Sequence, residues 1–224
     1  MSALPAAVLF DLDGTLVDTE PSWMAAEQAL ARAHGGQWSL EQAVSCIGNP
    51  IPVTAGRLRD EGGVRLPVEE VVDSLLDTVV AVVRATVPWQ PGARELAASL
   101  KAAGVPLALV TMSYRRLADA VVADLPAATF SAVVTGDEVR NGKPHPEPYL
   151  AAADQLGVDP GDCVVVEDSP AGIASGLAAG ATVVAVPHVA PLPDDRAVTV
   201  VASLVDLDTA VLADLVRERR VTRS

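Results

Sequence analysis

Lysine is scarce in this chain. Lys101 and Lys143 are the only two among 224 residues. Aromatic residues make up 3%, and there are two cysteines, Cys46 and Cys163. Each shortage excludes something. No basic stripe with interleaved aromatics can form, which argues against a nucleic acid partner. Two cysteines in unrelated contexts give neither a disulfide framework nor a zinc spacing, and read as small buried hydrophobes. The N-terminus lacks a basic region followed by a long apolar core, so no signal peptide is expected. From Pro170 to Pro193 there is no Asp, Glu, Lys or Arg. That is long enough to cross a bilayer. Gly172, Gly176, Gly180 and Pro187 interrupt it, and it reads as a helix, a Gly turn and a strand. The expectation is a soluble cytoplasmic protein with no membrane partner, a monomer or weak dimer.

What is present is Ala- and Val-rich apolar sequence, with half the residues hydrophobic. Short apolar runs at 6–10, 106–111, 132–135, 163–166, 182–186 and 198–201 read as buried parallel strands. Amphipathic patterns between most of them end at Gly104, Gly157 and Gly180, and Ser169-Pro170 reads as a helix start. Strands alternating with helices predict an α/β fold, a doubly wound parallel sheet. Between Asp18 and about Thr86 only helix signals occur, including a capping box at Ser39 and Gln42. The expected organisation is an α/β core of residues 1–17 and 87–224 with an inserted helical cap of residues 18–86. The tail from Arg217 to Ser224, with four Arg and one Glu, reads as a frayed, solvated end.

Ligands of open α/β sheets bind outside the carboxyl ends of the strands. There the sequence places Asp11 and Asp13, then Thr111, Met112 and Ser113, then Gly142-Lys143-Pro144, then Glu167 and Asp168. A net charge of -13 repels phosphorylated molecules, so an anion site must be built locally. Crowded carboxylates repel one another, and a divalent cation relieves that. Mg²⁺ suits a few carboxylates, waters and phosphate oxygens, with Asp11 and Asp168 as the natural pair and Glu167 in reserve. Lys143, the Thr111 hydroxyl and the N–H groups after it would meet phosphate oxygens. Taken singly, each residue has a plainer reading: Asp168 as a helix cap, Asp137 and Glu138 as turn acids, Lys143 as a surface lysine. Their agreement at one sheet rim favours the site.

In this combination the sequence resembles the haloacid dehalogenase-like phosphohydrolases. The residues that carry the resemblance are Asp11-Leu12-Asp13-Gly14-Thr15-Leu16, Thr111, Lys143-Pro144 and Glu167-Asp168, with "GKPHPEPYL" (142–150) and "VVVEDSPAGIASGLAAG" (164–180). The helical insert looks like the cap of the β-phosphoglucomutase-like branch. The resemblance implies Asp11 as nucleophile, through an aspartyl-phosphate, and Asp13 as general acid and base. It implies Mg²⁺ held by Asp11, the Asp13 carbonyl and Asp168, with Glu167 near or in the shell. Thr111 and Lys143 would hold the phosphoryl oxygens, and Lys143-Pro144 is a candidate cis bond.

Within that family, Asp13 argues against haloacid dehalogenases, and a lysine-free cap argues against phosphonatases. Trp23 stands where the mutases carry a His, and Gly48-Asn49-Pro50-Ile51 lacks their Arg. The favoured reading is hydrolysis of a small phosphorylated metabolite, a sugar or polyol phosphate. A mutase and a catalytically idle binding protein are the alternatives. A phospho-accepting receiver domain is a more distant one, being about half this length without a helical insert. Candidate specificity residues are Glu20, Trp23, Asn49 and Arg57, with Met112 and Ser113 in the pocket wall.

Overall fold

The computed structural model describes residues 4–189, 191–192 and 194–223, and of residues 220–223 only the backbone. Six short strands lie in one sheet: β1 (Ala7–Phe10), β2 (Leu107–Val110), β3 (Ala132–Val134), β4 (Cys163–Glu167), β5 (Thr182–Ala185) and β6 (Val198–Val200). Their order is β3-β2-β1-β4-β5-β6, and every pairing is parallel. All six match the apolar runs of the sequence.

Side chains alternate across the pleat, so each central strand feeds two cores. Val8, Phe10, Leu107, Leu109, Val164 and Val166 join one cluster, while Ala7, Leu9, Ala108, Val110, Cys163 and Val165 join the other. The first is completed by α5 (Ala93–Ala102), α6 (Arg115–Val122) and α9 (Thr209–Arg223), through Leu96, Leu117 and Leu212. The second is completed by α7 (Glu147–Leu156) and α8 (Pro170–Ala178), through Tyr149 and Ile173. Burial on both faces explains continuous Val and Ala runs in place of polar alternation. The tail is the exception to the expectation: α9 runs through Arg217 to Arg223, where a frayed end was expected. Ser224 and Pro193 lie outside the described residues.

The interval after β1 holds α1 (Glu20–Ala33), α2 (Leu40–Val44), α3 (Ile51–Asp60) and α4 (Val68–Ala85). Both halves of the Ser39–Gln42 capping box are formed. On α4, Val71, Val72, Leu75, Leu76, Val79, Val80 and Val83 are buried at helical spacing. Each such side chain contributes roughly 1.5–3 kcal/mol of burial, so the stripe holds the helical layer together. α1 and α3 pack on α4, and α4 in turn packs on α6. The segments entering and leaving these helices run side by side: Asp18 N–H donates to Pro88 O (2.8 Å) and Gln90 N–H to Leu16 O (2.9 Å). The helices therefore rise from the β1 end of the sheet, over the strand termini.

Candidate active site

The chain moves outward from β1 to β2 and β3, then crosses through α7 to β4 on the other side. The strand order reverses between β1 and β4, and a crevice opens at such a point. Asp11 follows β1, Thr111 follows β2, and Glu167 ends β4 with Asp168 next. One cleft holds Asp11, Asp13, Glu20, Trp23, Asn49, Thr111, Met112, Ser113, Lys143 and Asp168 together. It encloses about 730 Å³, open solvent at its mouth included.

Lys143 is the centre of the buried charge. Its Nζ donates to Asp11 Oδ1 (2.6 Å), Glu167 Oε1 (2.6 Å) and Val110 O (2.9 Å), and lies 4.9 Å from the centre of the Tyr149 ring. Burial opposes its charge, but the Asp11 and Glu167 carboxylates outweigh that and hold it protonated above its ordinary range. The Lys143-Pro144 peptide is cis. Glu167 has both oxygens engaged. Oε1 also accepts from the Tyr149 hydroxyl (2.7 Å), and Oε2 accepts from the Asp168 and Ser169 N–H groups and the Ser169 hydroxyl.

Asp11 is pushed up to about 7, first by burial and against the pull of Lys143. Asp168 is driven well above the usual carboxylate range, by burial foremost and then by Asp11 and Glu167. Its Oδ1 accepts from the Thr15 hydroxyl (3.2 Å), while its Oδ2 is buried with no partner among the described residues. Gly14 makes this approach possible. At φ +89°, a Cβ there would stand 2.1 Å from Asp168 Oδ2. Asp11, Glu167 and Asp168 each bring one oxygen within 4.8 Å of the others. An orphaned buried oxygen among carboxylates calls for a compensating charge, and an all-oxygen set suits a hard divalent cation such as Mg²⁺.

Asp13 stands on the open side and is clamped by four donors. Oδ1 accepts from the Thr19 hydroxyl (2.5 Å) and Trp23 Nε1 (3.2 Å), and Oδ2 from the Thr111 (3.2 Å) and Ser113 (2.7 Å) hydroxyls. Two donors come from the sheet side and two from α1 or its cap residue. Met112 packs its sulfur against the Lys143 N–H (3.2 Å). Glu20 faces the same cleft and is pushed up to about 8 by burial first, then by Asp13 and other acids. Asn49 lines the mouth.

Arg57 is not part of the cleft. Its guanidinium pairs with Glu61 (2.9 Å), donates to the Ser45 hydroxyl (2.8 Å), and lies over Trp38. Asp137 and Glu138 turn to the start of α6, where they accept from the Arg115 N–H and guanidinium. Four residues were given no role of their own from sequence: Thr15 and Tyr149, named only within motifs, and Thr19 and Glu27. Glu27 lies seven residues after Glu20 on α1, a spacing that returns to the same helix face and was the available signal. Burial raises it to about 7, opposed by the hydrogen bond from Trp38.

A profile described as haloacid dehalogenase-like hydrolase matches residues 5–180. Hexitol phosphatase A of Escherichia coli (strain K12) is 39% identical over 187 residues, covering 83% of this chain and 84% of that protein. Fructose-1-phosphate phosphatase YqaB of Escherichia coli (strain K12) is 32% identical over 186 residues, covering 78% and 93%. The crystal structure of CbbY from Rhodobacter sphaeroides in complex with phosphate superposes with a TM-score of 0.86 at 26% identity, covering 94% of this chain and 100% of that one. The six-stranded parallel sheet, the acidic cluster at its switch point and these matches lead to one conclusion: the chain belongs to the haloacid dehalogenase-like hydrolases.

Proposed function

We propose that the chain is a Mg²⁺-dependent phosphatase that hydrolyses a small sugar or polyol phosphate through an aspartyl-phosphate on Asp11. One observation carries this reading: the buried Asp11–Lys143–Glu167–Asp168 cluster faces the clamped Asp13 across a single cleft. Asp11 and Asp168 would hold the cation with the Asp13 carbonyl. Glu167, with both oxygens occupied, acts from behind by fixing Lys143. When bound, Mg²⁺ supplies positive charge that offsets the carboxylates and the phosphoryl oxygens.

Asp11 attacks phosphorus, forming an O–P bond as the bond to the leaving alcohol breaks. Asp13 gives its proton to that alcohol. It then takes a proton from water, whose oxygen attacks phosphorus and releases phosphate and Asp11. The Thr111 hydroxyl and Lys143 stabilise the phosphoryl oxygens. Residues 18–86 act as the cap over a core of 1–17 and 87–224, and exclude water when closed. Trp23 donates to Asp13 where a mutase would place a His, which supports hydrolysis over phosphotransfer.

Phosphate release from a panel of sugar phosphates, polyol phosphates, phosphoglycolate and nucleotides tests the reading. It is run with Mg²⁺ or EDTA, beside Asp11→Asn. Release that needs Mg²⁺ and is lost in the variant is expected. A folded protein that releases phosphate from no monoester overturns it.

A further inference from the structure

We infer that Glu20 and Glu27 form an acceptor wall in the cleft that reads hydroxyl groups on the leaving alcohol and turns away substrates carrying a second anion. The inference rests on the phosphatase reading above and narrows its substrate class to neutral polyhydroxylated monophosphates.

Both carboxylates are on α1 and both line the cleft, at 7% and 5% exposure. Acidic side chains this buried are ordinarily paired. Glu20 makes no hydrogen bond or ion pair among the described residues. Glu27 accepts one bond, from Trp38 Nε1 to Oε2 (2.9 Å), and its Oε1 has no partner among them. The wall therefore offers acceptor capacity that the fold leaves unused. A carboxyl keeps an acceptor oxygen whether or not it carries its proton, so its natural complement is a hydroxyl. Met24, Ile47, Ile51 and Leu75 line the same cleft, an apolar lining suited to a carbon chain. Acceptor groups and apolar side chains in one cleft fit a sugar or polyol, which carries both kinds of surface.

The charges of the cleft sharpen the choice. Asp11, Asp13, Glu20, Glu27 and Asp168 line it, and Lys143 is the single cation among the described lining residues. The Lys143 N–H groups are already directed at Asp11, Glu167 and the Val110 carbonyl. Arg57 is turned to Glu61, Ser45 and Cys46. A carboxylate or second phosphate on the leaving group would enter without a cation to pair with, which is how a site rejects a close analogue. By contrast, a site built to bond hydroxyls loses its fit when they are missing.

Three substrates separate the possibilities. Sorbitol 6-phosphate has the hydroxyls. 6-Phosphogluconate keeps the carbon chain but ends in a carboxylate. p-Nitrophenyl phosphate has no aliphatic hydroxyl. kcat/KM is measured with Mg²⁺ for the wild type, Glu20→Met, Glu27→Met and the double variant, since Met has a similar length and no carboxyl. The wild type should prefer sorbitol 6-phosphate to 6-phosphogluconate by about tenfold or more. Each variant should lower the ratio of sorbitol 6-phosphate to p-nitrophenyl phosphate by about fivefold, through KM, and the double variant should narrow the first ratio. Unchanged ratios in the variants, or a wild type that takes 6-phosphogluconate equally well, overturn the inference while leaving the phosphatase reading intact. Hydrolysis of none of the three overturns the inference, and hydrolysis of no monoester in the wider panel overturns both. Glu20→Met, which has no hydrogen bond to lose, keeps the test decisive if Glu27→Met fails to fold.

Discussion

Replacing Glu27 by Gln should remove a pH dependence from the stability of the chain. Glu27 is 5% exposed, and burial raises it from its ordinary 4.5 to about 7. A carboxyl raised on folding stabilises the folded state while it is protonated. That contribution is complete below pH 4.5 and is lost as pH climbs through about 7. The rise is about 2.5 pH units, and at about 1.4 kcal/mol each it amounts to at most about 3 kcal/mol. Gln keeps an oxygen for Trp38 Nε1 and cannot ionise. Urea unfolding of both proteins from pH 4.5 to 8 gives the difference between them, in which Asp11 cancels because both retain it, while the part of the Glu20 rise caused by Glu27 adds to the difference with the same sign. The wild type should lose about 2–3 kcal/mol more than the variant across that range. In melting temperature this is about 5–10 °C for a chain of this size. A difference that stays constant with pH would refute the reasoning, because it would mean that Glu27 stays ionised in the folded protein.

Other perturbations test the remaining contacts. Gly14→Ala forces a Cβ against Asp168 Oδ2 from a positive-φ position, and should cost at least about 1–2 kcal/mol and most phosphate release; an unaltered melt and rate would argue against the close approach. Tyr149→Phe removes the hydroxyl on Glu167 Oε1 and should lower stability by about 1–2 kcal/mol in urea titration. Trp23→Phe deletes the indole bond to Asp13, and kcat should fall on the order of fivefold if that bond positions the acid; a kcat equal to wild type removes Trp23 from the machinery.

Much of the fold was legible because buried strands must be apolar on both faces. Runs such as Leu107–Val110 and Cys163–Glu167 announce themselves by composition. Capping chemistry is equally local, so Ser39–Gln42 and Ser169-Pro170 marked helix starts correctly. The last helix was missed because its Arg-rich end looks solvated. Its apolar anchors, Leu212 and Val216, lie in its first two turns and become meaningful only against β4 and β5. Arg57 was one of the candidate specificity residues named from the sequence, with a surface position as its plainer reading. The surface position is what the structure shows: Glu61, at the C-terminal cap of the same helix, pairs with it.

By itself, the sequence determined the rim. Asp11, Thr111, Lys143 and Asp168 follow apolar runs, and parallel strands deliver their carboxyl ends to one edge whatever the helices do. Tertiary structure decided what each group touches there. That Lys143 is shared between Asp11 and Glu167, that Tyr149 backs it, and that Glu27 turns into the cleft beside Glu20 all depend on how α1 and α7 dock onto residues far away in the chain. Periodicity gives a helix its buried face. Only packing decides which neighbour that face meets, and with it the local dielectric and charge that tune each carboxyl.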